Sequence, residues 1–282
     1  MQIISFFSYK GGSGRTSLLY NTLPFLAREL EATPDEPIIV LDLDIDSKGL
    51  TYLFDRESRI NAFQVLKGDI SDENLINSKD LTPIGMELGF SSNEDRSVLF
   101  ISANPNDCAS SLGNSNNFDG SNVSLYPLER ICQDFKCKAI IMDTPTGNQL
   151  AGDAALSISQ KIVTVMRITK QFRNGTFDFL REKSNRFSNK EFIIVPNAVP
   201  NFFGTIYDIN NYIKTIRNNS VESVNNDNSV NLTMLENGGI MGINEVNQFK
   251  FEEKILALSK DLKEDEKKAV EKYVLLAKEL AK

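Results

Sequence analysis

Ile3-Ile4-Ser5-Phe6-Phe7-Ser8-Tyr9-Lys10-Gly11-Gly12-Ser13-Gly14-Arg15-Thr16-Ser17 decides how the rest of the chain is read. A short apolar run, Ile3 to Phe7, leads into a glycine loop, and the loop into an apolar-periodic stretch from Ser17 to Leu30. Strand, glycine loop and helix in that order make a phosphate cradle. Gly11, Gly12 and Gly14 let backbone N–H groups turn toward one anion with no Cβ in the way. The following helix adds the partial positive charge of its N-terminus. Thr16 supplies a hydroxyl where a Mg²⁺ on the β and γ phosphates needs an oxygen ligand.

Outward from the loop, Leu18, Leu19, Leu23, Leu26, Ala27 and Leu30 keep helical spacing, and Pro24 is expected to kink or break that helix. After the turn Thr33 to Pro37, the run Ile38-Ile39-Val40-Leu41 meets an acidic pair, Asp42 and Asp44. That is the pattern of a central parallel strand ending at the ligand-binding edge of a sheet. If the strand lasts to Asp44, the two carboxylates share one side. Ala139 to Asp143 repeats the pattern, and Thr144-Pro145-Thr146-Gly147 follows it. An aspartate at that strand end can hold Mg²⁺ through water.

Further strands are expected at 98–101, 161–168, 192–195 and 230–235, and helices at 123–135, 149–159, 172–187, 205–217, 249–262 and 265–282. Short helices are expected within 61–78, and long polar loops at 103–122 and 218–229. Alternating strands and helices imply an α/β, doubly wound, mostly parallel sheet with helices on both faces. One domain over 1–282 suffices, closed by a C-terminal helical segment at about 249–282, since no second glycine loop or linker interrupts it. The last helix mixes Lys and Glu on its polar face and lacks Trp and Phe anchors, so it reads as a packing helix and membrane binding is not expected.

Composition narrows the chemistry. The 282 residues, 41% hydrophobic, suit one large α/β core or two smaller ones. A net charge of -7 and a pI near 4.9 give no global attraction for DNA or anionic lipid. A local basic patch would still allow DNA binding, which the acidic charge disfavours. The absence of histidine excludes a Ser-His-Asp triad, a histidine base and histidine metal sites. Cys108, Cys132 and Cys137 show no C-x-x-C spacing and read as reduced thiols. No basic and apolar leader opens the chain, and no apolar run nears the ~20 residues that span a bilayer, so a cytoplasmic location is expected.

The loop resembles the deviant Walker A sequence K-G-G-x-G-K-[ST] of the ParA/MinD family of P-loop ATPases. Lys10 matches the family's early signature lysine. Tyr9 stands where the general motif has its first glycine, and Arg15 stands where the family has its second lysine. Asp42-Leu43-Asp44 resembles the family's D-x-D-P-Q, with Ile45 and Asp46 in place of proline and glutamine. Asp143-Thr144-Pro145 resembles its switch II. The resemblance covers residues 1 to about 200.

What it implies is ATP with Mg²⁺ as cofactors and a homodimer closed across two ATP molecules. Gly11, Gly12, Ser13, Gly14, Arg15, Thr16 and Ser17 would bind the nucleotide, and Asn197, at the end of the strand 192–195, would hydrogen-bond the adenine edge. Lys10 would reach the partner subunit's phosphates, Asp44 would position the attacking water, and Thr16, Asp42 and Asp143 would hold the metal. Such proteins are slow ATPases that switch a partner protein or position a cargo; neither is named by the sequence. Arg15 keeps the positive charge but as a planar fork, which leaves a non-hydrolysing nucleotide-bound scaffold as the alternative. An iron–sulfur relative would need bridging cysteines near switch II, and Asp143 to Ser159 contain none.

Overall fold

The computed structural model describes residues 1–67, 80–103, 126–183, 190–199, 231–234, 243, 245–246 and 254–282. The polar loops, the expected helix at 205–217 and Cys108 lie outside those residues. The chain forms two compact units, Met1–Phe6 with Ala27–Ser159, and Phe7–Leu26 with Gln160–Lys282.

In the first unit the strands lie in the order β3-β4-β2-β5-β1. These are β1 (Gln2–Phe7), β2 (Ile38–Asp42), β3 (Thr82–Pro83), β4 (Val98–Ile101) and β5 (Ala139–Asp143). All pairings are parallel except the edge pair β3–β4. β2, β4 and β5 are buried at every position, as continuous apolar runs require when both sheet faces are covered. Ile39, Leu41, Ile101, Ile140 and Met142 share one core with Leu128 and Ile131 of α4 (Tyr126–Phe135) and Ala155 of α5 (Leu150–Ile158). Two short helices, α2 (Gly49–Phe54) and α3 (Ala62–Lys67), follow β2. Cys132 and Cys137 are buried free thiols.

The second unit holds parallel strands β6 (Lys161–Met166), β7 (Glu191–Pro196) and β8 (Asn231–Met234) in that order. Helix α6 (Lys170–Lys183) sends Phe179 to stack on Phe7 at 4.5 Å between ring centroids. Helix α1 (Arg15–Glu29) runs through Pro24 without the break that was one of the two expected outcomes. Buried Leu18, Leu19, Leu23, Leu26 and Ala27 fix its turns on both sides of the ring.

Two expectations for the C-terminal part change. The described residues 254–262 form only one 3₁₀ turn, Leu256–Leu258, instead of an amphipathic helix, and Leu258 is exposed. Leu256 N–H donates to Asn21 Oδ1 of α1 at 2.9 Å, so a tertiary hydrogen bond sets this backbone, not helical periodicity. The last helix, α7 (Glu264–Ala281), buries Ala269, Tyr273, Leu276, Ala277 and Leu280, which bears out packing. Lys161 Nζ donates to the carbonyls of Glu279 and Leu280, closing its C-terminal end where a cation is favoured. Mixed parallel sheet and intervening helices make the doubly wound α/β class expected from the sequence.

Leu276 is fully buried and Val274 half-buried on α7. Leu276→Ala is expected to lower unfolding free energy by roughly 2–5 kcal/mol, and Val274→Ala by under about 1 kcal/mol. Urea unfolding checks the order.

Candidate functional site

The second unit holds the glycine loop between Phe7 and Arg15. Gly12 and Gly14 both take left-handed backbone, with φ of +78° and +79°. Side chains with a Cβ rarely adopt it, so both positions require glycine. A Cβ on Gly11 or Gly12 would meet nothing within 4 Å; one on Gly14 would overlap Asn197 Nδ2. The loop is therefore open at its middle and pinned at its end. Leu18 N–H donates to the Gly14 carbonyl at 2.9 Å and starts the helix.

Arg15 is buried, with 4% exposure, and its Nη2 lies 3.5 Å from Thr16 Oγ1. The loop thus keeps its left-handed glycines around an arginine. Ser13 is buried, and Thr16 and Ser17 are half-buried. Lys10 Nζ sits 5.5 Å from the ring centroid of Phe172, a cation–π contact with α6 of its own chain. Tyr9, the residue in place of a glycine, lies over Gly175, where any Cβ would overlap the ring. Its ring also meets Phe179 at 6.5 Å. The missing side chain on α6 makes room for the extra one on the loop.

Asn197 follows β7, and its own N–H donates to the Met166 carbonyl at the end of β6. Its Nδ2 donates to the carbonyls of Ser13 at 2.9 Å and Gly14 at 3.2 Å. The amide expected from the resemblance at an adenine is thus engaged with the loop. Arg167, which no motif singled out, donates from Nε to the Gly12 carbonyl at 2.7 Å.

The acidic residues belong to the first unit. Asp42 and Asp143 lie in register on neighbouring strands, both fully buried. Asp42 Oδ2 accepts from Thr51 N–H at 2.9 Å and Thr51 Oγ1 at 2.8 Å. The strand stops at Asp42, so the condition under which Asp42 and Asp44 would share one side is not met. Asp42 Oδ1 instead accepts Asp44 N–H at 3.3 Å, an Asx turn that bends the chain. Asp44, also buried, accepts Ser47 N–H at 3.2 Å. Thr51 escaped the sequence reading because its partner is nine residues away on another element. After Asp143, Thr144 Oγ1 donates to the Phe6 carbonyl and Gly147 takes φ +72° before α5.

Burial, then the charge of Asp143, pushes the Asp42 carboxyl up to about 7, and the Thr51 hydrogen bonds only partly oppose this. Two adjacent desolvated carboxylates suit a divalent cation, which relieves their repulsion. Among the described residues, no three or more Asp, Glu or Cys converge on one metal position.

No protein-family model matches the chain, and no curated protein does. Solved structures do match. The cell division ATPase MinD of Pyrococcus furiosus is 16% identical, with TM-score 0.63 over 99% of this chain and 97% of that one. A ParA family ATPase from Chlorobium tepidum is 15% identical, with TM-score 0.62 over 98% of each. The septum site-determining protein MinD of Pyrococcus horikoshii, solved with Mg-ADP, is 15% identical, with TM-score 0.56 over 99% of this chain and 95% of that one. The chain has the fold of the MinD and ParA ATPases. On this MinD-like fold the glycine loop follows the first strand, and the aspartates close the second and fifth.

Two outcomes follow from the geometry. Gly175→Ala is expected to displace Tyr9 and destabilise the fold by roughly 1–3 kcal/mol, whereas Gly175→Ala with Tyr9→Gly regains most of the loss; thermal melts of the two variants check the coupling. The second concerns pH. A folded pKa near 7 for Asp42, above its ordinary value of 3.8, means the folded protein keeps a proton that the unfolded chain gives up. Stability in metal-free buffer therefore falls as pH rises between those values. Asp42→Asn removes this fall, so its advantage over wild type should grow by on the order of 3 kcal/mol from about pH 4 to about pH 7. Urea unfolding with chelator at both pH values reads it.

Proposed function

We propose that the chain is an ATP-binding, slowly hydrolysing molecular switch of ParA/MinD type, working as a homodimer that regulates a partner protein or positions a cargo. The observation that carries this is the open loop with left-handed Gly12 and Gly14 at the start of α1. The MinD structure solved with Mg-ADP on the same fold supports nucleotide and Mg²⁺ as the ligands.

In this reading the backbone N–H groups of Gly11 to Gly14 bind phosphate oxygens, and Arg15 adds positive charge below them. Ser17 lies in the first turn of α1, where the helix dipole favours the anion. Thr16, Asp42 and Asp143 hold Mg²⁺, which when bound neutralises charge on the phosphates. Asp44 orients the water for in-line attack. Lys10 leaves Phe172 and reaches the phosphates of a second subunit. Asn197 would hydrogen-bond the adenine edge, as the resemblance implies. The whole chain acts as one cytoplasmic ATPase domain.

Purified protein with Mg²⁺ and ATP is expected to turn over slowly, below about one per second, and to double in mass with ATP in solution scattering. Asp44→Ala should abolish turnover and keep the ATP-dependent dimer; Lys10→Ala should keep ATP binding and lose the dimer. Wild type that binds ATP without turnover, but turns over after Arg15→Lys, is the result for a nucleotide-bound scaffold. Absence of ATP binding overturns both readings.

A further inference from the structure

Three consecutive carbonyls of the glycine loop are held from behind. Arg167 Nε donates to the Gly12 carbonyl, and Asn197 Nδ2 to those of Ser13 and Gly14. A peptide unit is planar and trans, so its C=O and N–H point in opposite directions. Fixing the Gly12, Ser13 and Gly14 carbonyls therefore fixes the N–H groups of Ser13, Gly14 and Arg15, aimed away from Arg167 and Asn197. Left-handed glycines make this arrangement accessible but do not lock it, because glycine moves among many backbone states. A carbonyl that flipped would present negative charge where an anion is to bind.

We infer that Arg167 and Asn197 are positioning residues that lock the phosphate loop with its N–H groups turned toward the phosphates. The inference rests on the phosphate-binding reading above and deepens it. Both residues come from strand ends of the same unit. Asn197 N–H is bonded to Met166, next to Arg167, so the two donors share one support. The tight fit at Gly14, where a Cβ would overlap Asn197 Nδ2, leaves the amide no space to be replaced by a larger loop residue.

The test uses the full chain, with inorganic tripolyphosphate, ATP and GTP as probes. Asn197→Ala removes the donor without adding charge. It is expected to weaken tripolyphosphate about tenfold, and ATP and GTP at least as much. In ligand-free protein, hydrogen exchange at Ser13, Gly14 and Arg15 amides should accelerate in Asn197→Ala and at Ser13 in Arg167→Ala. A changed ATP-to-GTP ratio with unchanged tripolyphosphate affinity would show a base-reading residue and overturn the inference. Unchanged loop exchange in both variants overturns it as well, whatever the affinities do. Wild type that binds none of the three probes overturns the nucleotide reading itself, while accelerated exchange would still establish the lock as a structural device only.

Discussion

Asp42 and Asp143 face the same problem in the first unit: two carboxylates, in register on adjacent parallel strands, with no exposure to water. Parallel pairing forces them to the same level, and the apolar runs before them leave no other polar group on either strand. Neither can be charged cheaply while the other is. Thr51 answers part of this with two donors on one Asp42 oxygen, and its own hydroxyl accepts the Ala103 N–H beyond β4. The start of α2 and the ends of β2 and β4 are thus joined through one hydroxyl.

The glycine loop meets the complementary requirement, positive electrostatic potential from backbone dipoles. Its two departures from the common pattern are absorbed in different ways. Tyr9 is matched by a deletion elsewhere, Gly175 on α6, a swap of volume across a packing contact. Arg15 is buried beside Thr16 with the left-handed glycines intact. The arginine presents a planar hydrogen-bonding fork there.

Most of the sheet could be read from the sequence because buried parallel strands are written as unbroken apolar runs, as at Ile38 to Leu41 and Ala139 to Met142. The loop was legible because its glycines carry a backbone requirement that no other residue meets. What stayed hidden was long-range. Arg167 lies 155 residues from the carbonyl it holds and Asn197 184 and 183 from its two, and no spacing encodes such pairs. Gly175 looks like a weak point of a helix until Tyr9 is seen on it. Pro24 does not break its helix because flanking leucines outweigh one lost helical hydrogen bond, and 254–262 misled because Asn21 captures the Leu256 N–H. Asp44 does not continue the strand because an Asx turn competes with strand geometry right after Asp42.

Helix α6 and the turn before it carry the front of the loop: Phe172 under Lys10, Gly175 under Tyr9, and Arg167 on Gly12. An exposed cation–π contact is worth only about 0.5–1 kcal/mol. A charge-assisted bond from an ammonium to phosphate is worth more, and grows as water is excluded. On the proposed reading Lys10 is therefore parked, not trapped. Phe172 keeps it ordered in the single chain at small cost, and a second subunit's phosphates outbid the ring. Tyr9 and Arg167, by contrast, are held by packing and a hydrogen bond that do not compete with ligand. On that reading one helix can release the residue that reaches the other subunit while its neighbours keep the loop in shape.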